Sequence, residues 1–143
     1  MLVPVKRAPF PLAFVLVYLL AAAPATARAG EVHEAVKSGD LERVGEMLAR
    51  HPAAINEKDC YGQTPLHKAA LGDSLDMLLL LLDNGPQMNA PGGLGNTALQ
   101  LAAFKGKKEF VETLIVRGAD VNIGNREGDT PLHDAAYHGH VEV

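Results

Sequence analysis

Gly62-Gln63-Thr64-Pro65-Leu66-His67-Lys68-Ala69-Ala70 returns as Gly95-Asn96-Thr97-Ala98-Leu99-Gln100-Leu101-Ala102-Ala103 and again as Gly128-Asp129-Thr130-Pro131-Leu132-His133-Asp134-Ala135-Ala136, 33 residues on each time. Asn56, Asn89 and Asn122 keep the same interval, as do Gly85 and Gly118, so the period covers whole units rather than one motif. In each unit a threonine stands where its side-chain oxygen can cap a helix start. Pro65 and Pro131 take the first helical position, where a missing N–H costs nothing. The paired alanines let that helix approach its neighbours closely. A second helix follows, with an apolar face of Leu78, Leu80, Leu81 and Leu82 in one unit and Phe110, Val111, Leu114 and Ile115 in the next. Gly85 and Gly118 then fit a left-handed helix stop. So small a helix pair cannot bury its own apolar face, and stability has to come from stacking on neighbours. The expected fold class is therefore an all-α solenoid.

The T-P-L-H-x-A-A turn and helix, the leucine-rich second helix and the closing Gly118-Ala119-Asp120-Val121-Asn122 together resemble the ankyrin repeat. The resemblance runs from about His33 to Val143 and implies stacked antiparallel helix pairs joined by loops or β-hairpin turns. It divides residues 30–143 into an N-terminal cap repeat (31–58), a second repeat (59–91), a third (92–124) and a truncated fourth (125–143). The first is degenerate: it lacks T-P-L and sets Arg43 and Glu46 where the next unit has Met77 and Leu80, the polar outer face that the end of a solenoid requires. In the third, Ala98 and Gln100 replace proline and histidine, so its first turn is expected to open most readily. In the fourth, a second helix is expected to begin at His140 and to stop after one turn. The side of repeat three around Leu114 and Ile115 would then be poorly covered. That suggests a fragment of a longer protein or, failing that, self-association through the open C-terminal end.

The chain starts differently. Lys6 and Arg7 precede a run from Phe10 to Ala23 that is apolar apart from Pro11, and Ala25-Thr26-Ala27 and Ala27-Arg28-Ala29 both offer a small-x-small cleavage pattern. This is the layout of a secretory signal peptide over residues 1–29. The apolar run falls short of the roughly 20 residues that cross a bilayer, which favours cleavage over an anchor. The expected location is the periplasm or the cell exterior. The only cysteine, Cys60, lies far from the apolar run; it cannot form an internal disulfide and is either a free thiol or an intermolecular bridge. Losing residues 1–29 removes Lys6, Arg7 and Arg28 and no acid, so the formal charge moves from −4 to −7. That balance argues against nucleic acid and anionic membrane as partners, since both demand clustered Lys and Arg.

Catalytic patterns are missing. Ser38 and Ser74 lie in no G-x-S-x-G elbow, and Gly92, Gly93 and Gly95 follow no strand that a nucleotide fingerprint would need. His133, His138 and His140, with Asp129 and Asp134, could be written as a metal cluster. They lack metal-ligand spacing, and His67 and His133 fit the histidine of the turn. No enzyme activity, metal or cofactor is expected.

The resemblance implies protein binding instead, by loop tips and the exposed faces of the first helices, which line a concave surface. By position the helix faces bring Lys68 and Leu71, then Leu101, Phe104 and Lys105, then Asp134, Tyr137 and His138; Glu34 and Lys37 precede them. The tips contribute Tyr61, Leu94 and Glu127. Leu71, Phe104 and Tyr137 recur every 33 residues, and they either form an apolar binding stripe or pack between adjacent units. With an acidic surface, the partner is expected to be a protein offering basic and apolar groups. Leu79 stands where the first unit has Gly45 and the third Glu112, so it either extends an exposed apolar patch or is merely tolerated. Two other functions stay open: an arm of a longer protein whose enzymatic domain lies beyond Val143, and a scaffold or shield for a periplasmic enzyme.

Overall fold

The computed structural model describes residues 30–143, and the signal segment expected over 1–29 lies outside them. Among the described residues there are seven α-helices and no strand. In chain order they are α1 (Glu31–Ser38), α2 (Leu41–Arg50), α3 (Pro65–Leu71), α4 (Leu75–Asp83), α5 (Ala98–Phe104), α6 (Lys108–Val116) and α7 (Pro131–Tyr137), with a 3-10 turn over Pro52–Asn56 after α2. Helices α1, α3, α5 and α7 stack as an inner row, and α2, α4 and α6 stack behind them. This is the solenoid that the 33-residue period implies.

Its core is the seam between the rows. Val32, Val44, Leu48, Leu66, Leu78, Leu81, Leu99 and Leu114 are buried there, and Ala69, Ala70, Ala102 and Ala103 are buried where inner helices press together. Alanine is what lets backbones approach so closely, so these positions tolerate nothing larger without displacement. Gly85 (φ 66°) and Gly118 (φ 100°) follow α4 and α6 in the left-handed region that other residues avoid.

Each inner helix from α3 onward starts with a capping box. Thr64 N–H donates to His67 Nδ1 at 3.1 Å, and Thr130 N–H does the same to His133 Nδ1 at 3.1 Å. The third unit departs from expectation here, since its turn is closed in the same way. Thr97 N–H donates to Gln100 Oε1 at 2.9 Å and Gln100 N–H to Thr97 Oγ1 at 3.3 Å. Glutamine at the third helical position completes a capping box as well as histidine does. Of the two departures behind the expected loosening of residues 97–103, Gln100 is thus compensated and Ala98 remains.

Two of these side chains, with His33 of the first unit, also link units. His33 Nε2 reaches the Gln63 carbonyl at 2.8 Å, His67 Nε2 the Asn96 carbonyl at 2.9 Å, and Gln100 Nε2 the Asp129 carbonyl at 2.5 Å. All three side chains are buried. The Asn96 carbonyl accepts, so His67 carries its proton on Nε2, which leaves Nδ1 free to accept at the cap. The recurring asparagines supply a second tie: Asn56 Oδ1 takes Gln87 N–H at 2.7 Å and Asn89 Oδ1 takes Asp120 N–H at 2.9 Å. Lys107 adds a third, its ammonium donating to the Leu71 and Gly72 carbonyls and to the Asp73 carboxylate.

After α7 the chain makes one hydrogen-bonded turn, Val143 N–H to the His140 carbonyl at 3.2 Å, and not the start of a helix. Three residues past the cap position hold too few backbone bonds to offset the cost of nucleating one.

Candidate interaction surface

The first and third loop tips are built by a side chain near the start of the loop. Asp59 Oδ1 takes the N–H groups of Tyr61 and Gln63, both at 2.9 Å, and Asn125 Oδ1 takes those of Glu127 and Asp129, both at 3.0 Å. Gly92 stands at the equivalent place in the middle tip and has no side chain to do this, yet Gly92 N–H to Asn96 carbonyl (2.9 Å) and Gly95 N–H to Gly92 carbonyl (2.9 Å) close the same turn. Neighbouring tips touch. Lys58 donates to the Pro91 carbonyl at 2.8 Å, and any side chain at Gly93 would collide with the Tyr61 carbonyl. Closed by these bonds, the tips hold Tyr61, Leu94 and Glu127 out in solvent.

The sequence-selected side chains fall into three groups. Tyr61, Lys68 and Leu71 meet in a groove of about 820 Å³ between α1 and the first tip. Tyr61, Leu94 and Leu101 line the next groove, over His67. Phe104, Tyr137 and His138 form a ring cluster, with the His138 ring centroid 4.3 Å from Phe104 and 5.1 Å from Tyr137; the Lys105 ammonium lies 5.9 Å from the Phe104 centroid. Glu127 is at the third tip, apart from these, and the Asp134 carbonyl lies 2.9 Å from His138 Nδ1. Burial and the charge of Asp129 raise the Asp134 carboxyl above its usual range.

Exposure changes along the series expected either to bind or to pack between units. Leu71 is half-buried. Phe104 is 42 % exposed, with one edge on His138 of the next unit, and Tyr137 is 88 % exposed. Packing claims progressively less of the series toward the C-terminal end.

Charge on this face differs from expectation. The first groove is lined by Glu31, Glu34 and Asp59 but equally by Lys37, Arg43 and Lys68. Asp59 is already committed to Lys68 at 2.9 Å, and that ammonium also sits 5.4 Å from the Tyr61 ring centroid. The Asp59 carboxyl is held below the ordinary aspartate value: burial raises it, but the Lys68 ammonium and the Gln63 and Tyr61 N–H groups outweigh that. The N-terminal part of the concave face is thus charge-balanced, and the acidic surplus lies elsewhere.

The histidines that suggested a metal cluster have other roles. His133 Nδ1 braces Thr130, His138 Nδ1 lies against the Asp134 carbonyl, and His140 Nε2 reaches the Phe104 carbonyl at 3.1 Å. Among the described residues no three His, Cys, Asp or Glu side chains converge as a metal ion would require. Cys60 is exposed on the wall of the first groove. Among the described residues no helix is long and apolar enough to cross a membrane.

Two family models match the chain, both described as ankyrin repeats, one over residues 47–102 and the other over 86–143. Between them they cover more than half of it, and the chain belongs to the ankyrin repeat proteins. Ankyrin repeats act as protein–protein interaction modules. The chain is similar to an ankyrin repeat protein of fowlpox virus (strain NVSL), at 38 % identity over 43 % of this chain and 15 % of the relative. It is also similar to ankyrin repeat domain-containing protein 13C-A of Xenopus laevis, at 43 % identity over 38 % of this chain and 11 % of the relative. A third likeness is to ankyrin repeat domain-containing protein 35 of Homo sapiens, at 39 % identity over 40 % of this chain and 6 % of the relative. The matched stretches are thus a small part of each relative.

Proposed function

We propose that this chain is an exported, non-catalytic binding module that holds a protein partner against its inner-helix face and loop tips. One observation carries the reading. Tyr61, Leu94, Phe104 and Tyr137 are large apolar side chains left exposed on inner helices and on tips closed by internal hydrogen bonds. Exposed aromatic anchors on a rigid frame are what protein interfaces use, because little ordering entropy remains to be lost on binding. The groove of Tyr61, Lys68 and Leu71 would take one side chain of the partner and the Phe104–Tyr137–His138 cluster another. Export rests on the basic, apolar and small-residue layout of residues 1–29.

The test is a pull-down from periplasmic extract with the tagged wild-type chain and with Phe104→Ala/Tyr137→Ala. A partner held by the wild type and lost with the double variant supports the reading; equal capture by both removes the stripe from it. Cell fractionation with and without residues 1–29 tests export separately.

A further inference from the structure

We propose a second docking groove on the outer layer, in the seam between α2 and α4, that takes a basic protein segment by an aliphatic side chain. It lies away from the inner-helix face and does not depend on the reading above. Leu41, Gly45 and Ala49 from α2 and Leu79 and Leu80 from α4 form its apolar walls, around an open depression of about 620 Å³. Gly45 is the cause of the space. It occupies the helix position that carries Leu79 in α4 and Glu112 in α6, so a whole side chain is missing from one wall. Leu79, the residue whose outward place had no evident purpose in the sequence, stands half-buried on the facing wall.

The next seam, between α4 and α6, is built differently. There Arg117 Nη1 crosses to Asp83 Oδ1 at 2.9 Å and ties the two helices together. The corresponding residues at the α2–α4 seam are Ala49 and Asn84. Alanine has nothing to offer, and the Asn84 amide turns back to donate to its own helix at the Leu80 carbonyl, 2.8 Å away. That cross-link is therefore absent where Gly45 opens the wall.

Charge selects the occupant. Glu42, Asp76 and Asp83 line the groove; Arg117 already neutralises Asp83, so Glu42 and Asp76 supply the charge that faces an occupant. An apolar slot between carboxylates fits a segment that inserts a leucine-like side chain and sets Lys or Arg on either side. An anionic lipid surface meets these carboxylates with like charge.

The experiment is a fluorescence-anisotropy titration of the full chain with a short labelled peptide alternating arginine and leucine, beside versions with serine for leucine and glutamate for arginine. Saturable binding is expected for the first peptide alone. Gly45→Leu, which fills the slot with a better helix former, and Asp76→Lys are each expected to weaken it about tenfold or more. Phe104→Ala/Tyr137→Ala should leave it unchanged. Circular dichroism confirms that Gly45→Leu is folded. The proposal is overturned if the wild type does not bind, if both groove variants bind as the wild type does, or if the serine peptide binds equally well, which would reduce the effect to net charge. A wild-type dimer that Gly45→Leu abolishes in sedimentation would assign the groove to a second copy and overturn it too.

Discussion

Thr64-Pro65-Leu66-His67 and Thr130-Pro131-Leu132-His133 pair the same four residues, fold into the same turn and end in opposite surroundings. The cap bonds from threonine N–H to histidine Nδ1 are 3.1 Å in both. The threonine Oγ1 to Nδ1 distances are 2.7 and 2.8 Å. Yet Leu66 is 1 % exposed and Leu132 is 74 % exposed, and His67 is buried where His133 is not. Helix α3 has α1 and α5 on its two sides, whereas α7 stacks on α5 alone. Local sequence sets the conformation of a unit; a neighbour on each side sets its burial, and most of the stability comes from that.

The sharpest way to break this comparison is to truncate the two leucines. Leu66→Ala is expected to cost about 2–5 kcal/mol, because a fully enclosed site leaves a cavity. Leu132→Ala should stay within about 0.5 kcal/mol. Urea denaturation of both variants reads the difference, and equal losses would mean that the fourth unit is packed as tightly as the second.

A smaller effect probes the unit between them. Gln100→Ala strands the Asp129 carbonyl and the Thr97 N–H, both bonded to it in the wild type. A buried polar group left without its partner costs about 1–3 kcal/mol. Gln100→His should recover most of that, since histidine makes the equivalent bonds at position 67. Hydrogen exchange of amides 97–103 should be as slow as that of 64–70. Faster exchange in the third unit would show that a proline at the first helical position matters more than the bonds Gln100 restores.

What was legible in the sequence follows the same division between local and neighbour effects. The period, the caps and the helix stops were readable because each is written in adjacent residues: a threonine before a proline, paired alanines, a glycine after the last leucine. Gln100 departs from the repeated pattern yet closes the turn, because glutamine has the donor and the acceptor that the turn uses. The inter-unit bonds of His33, His67 and Gln100 could not be seen, since their acceptors lie in the next unit and are backbone carbonyls that no residue type marks. The candidate surface was legible as a set of positions but not in its electrostatics. Net charge hid the pairing of Asp59 with Lys68 and the concentration of carboxylates at the α2–α4 seam.

The gentlest perturbation is a change of pH, and it separates the two histidines of the matched turns. Burial holds the His67 imidazole below the ordinary histidine value of 6.5, against its hydrogen bond to the Asn96 carbonyl, which favours the proton. In the folded chain a proton on Nδ1 would also face the Thr64 N–H, donor against donor. The unfolded chain therefore binds a proton near pH 6.5 that the folded chain refuses. The stability from neutral His67 is complete above that pH and is lost as pH falls below 6.5 toward the lower folded value. His67→Gln is the informative variant, because Gln100 already demonstrates that glutamine can fill this place in both the cap and the inter-unit bond. Urea midpoints measured between about pH 7.5 and pH 5 should fall less in His67→Gln than in the wild type. His133→Gln, at the exposed copy of the same turn, is the matched control. A pH slope kept by His67→Gln and lost by His133→Gln would reverse the comparison and place the titrating group outside the core.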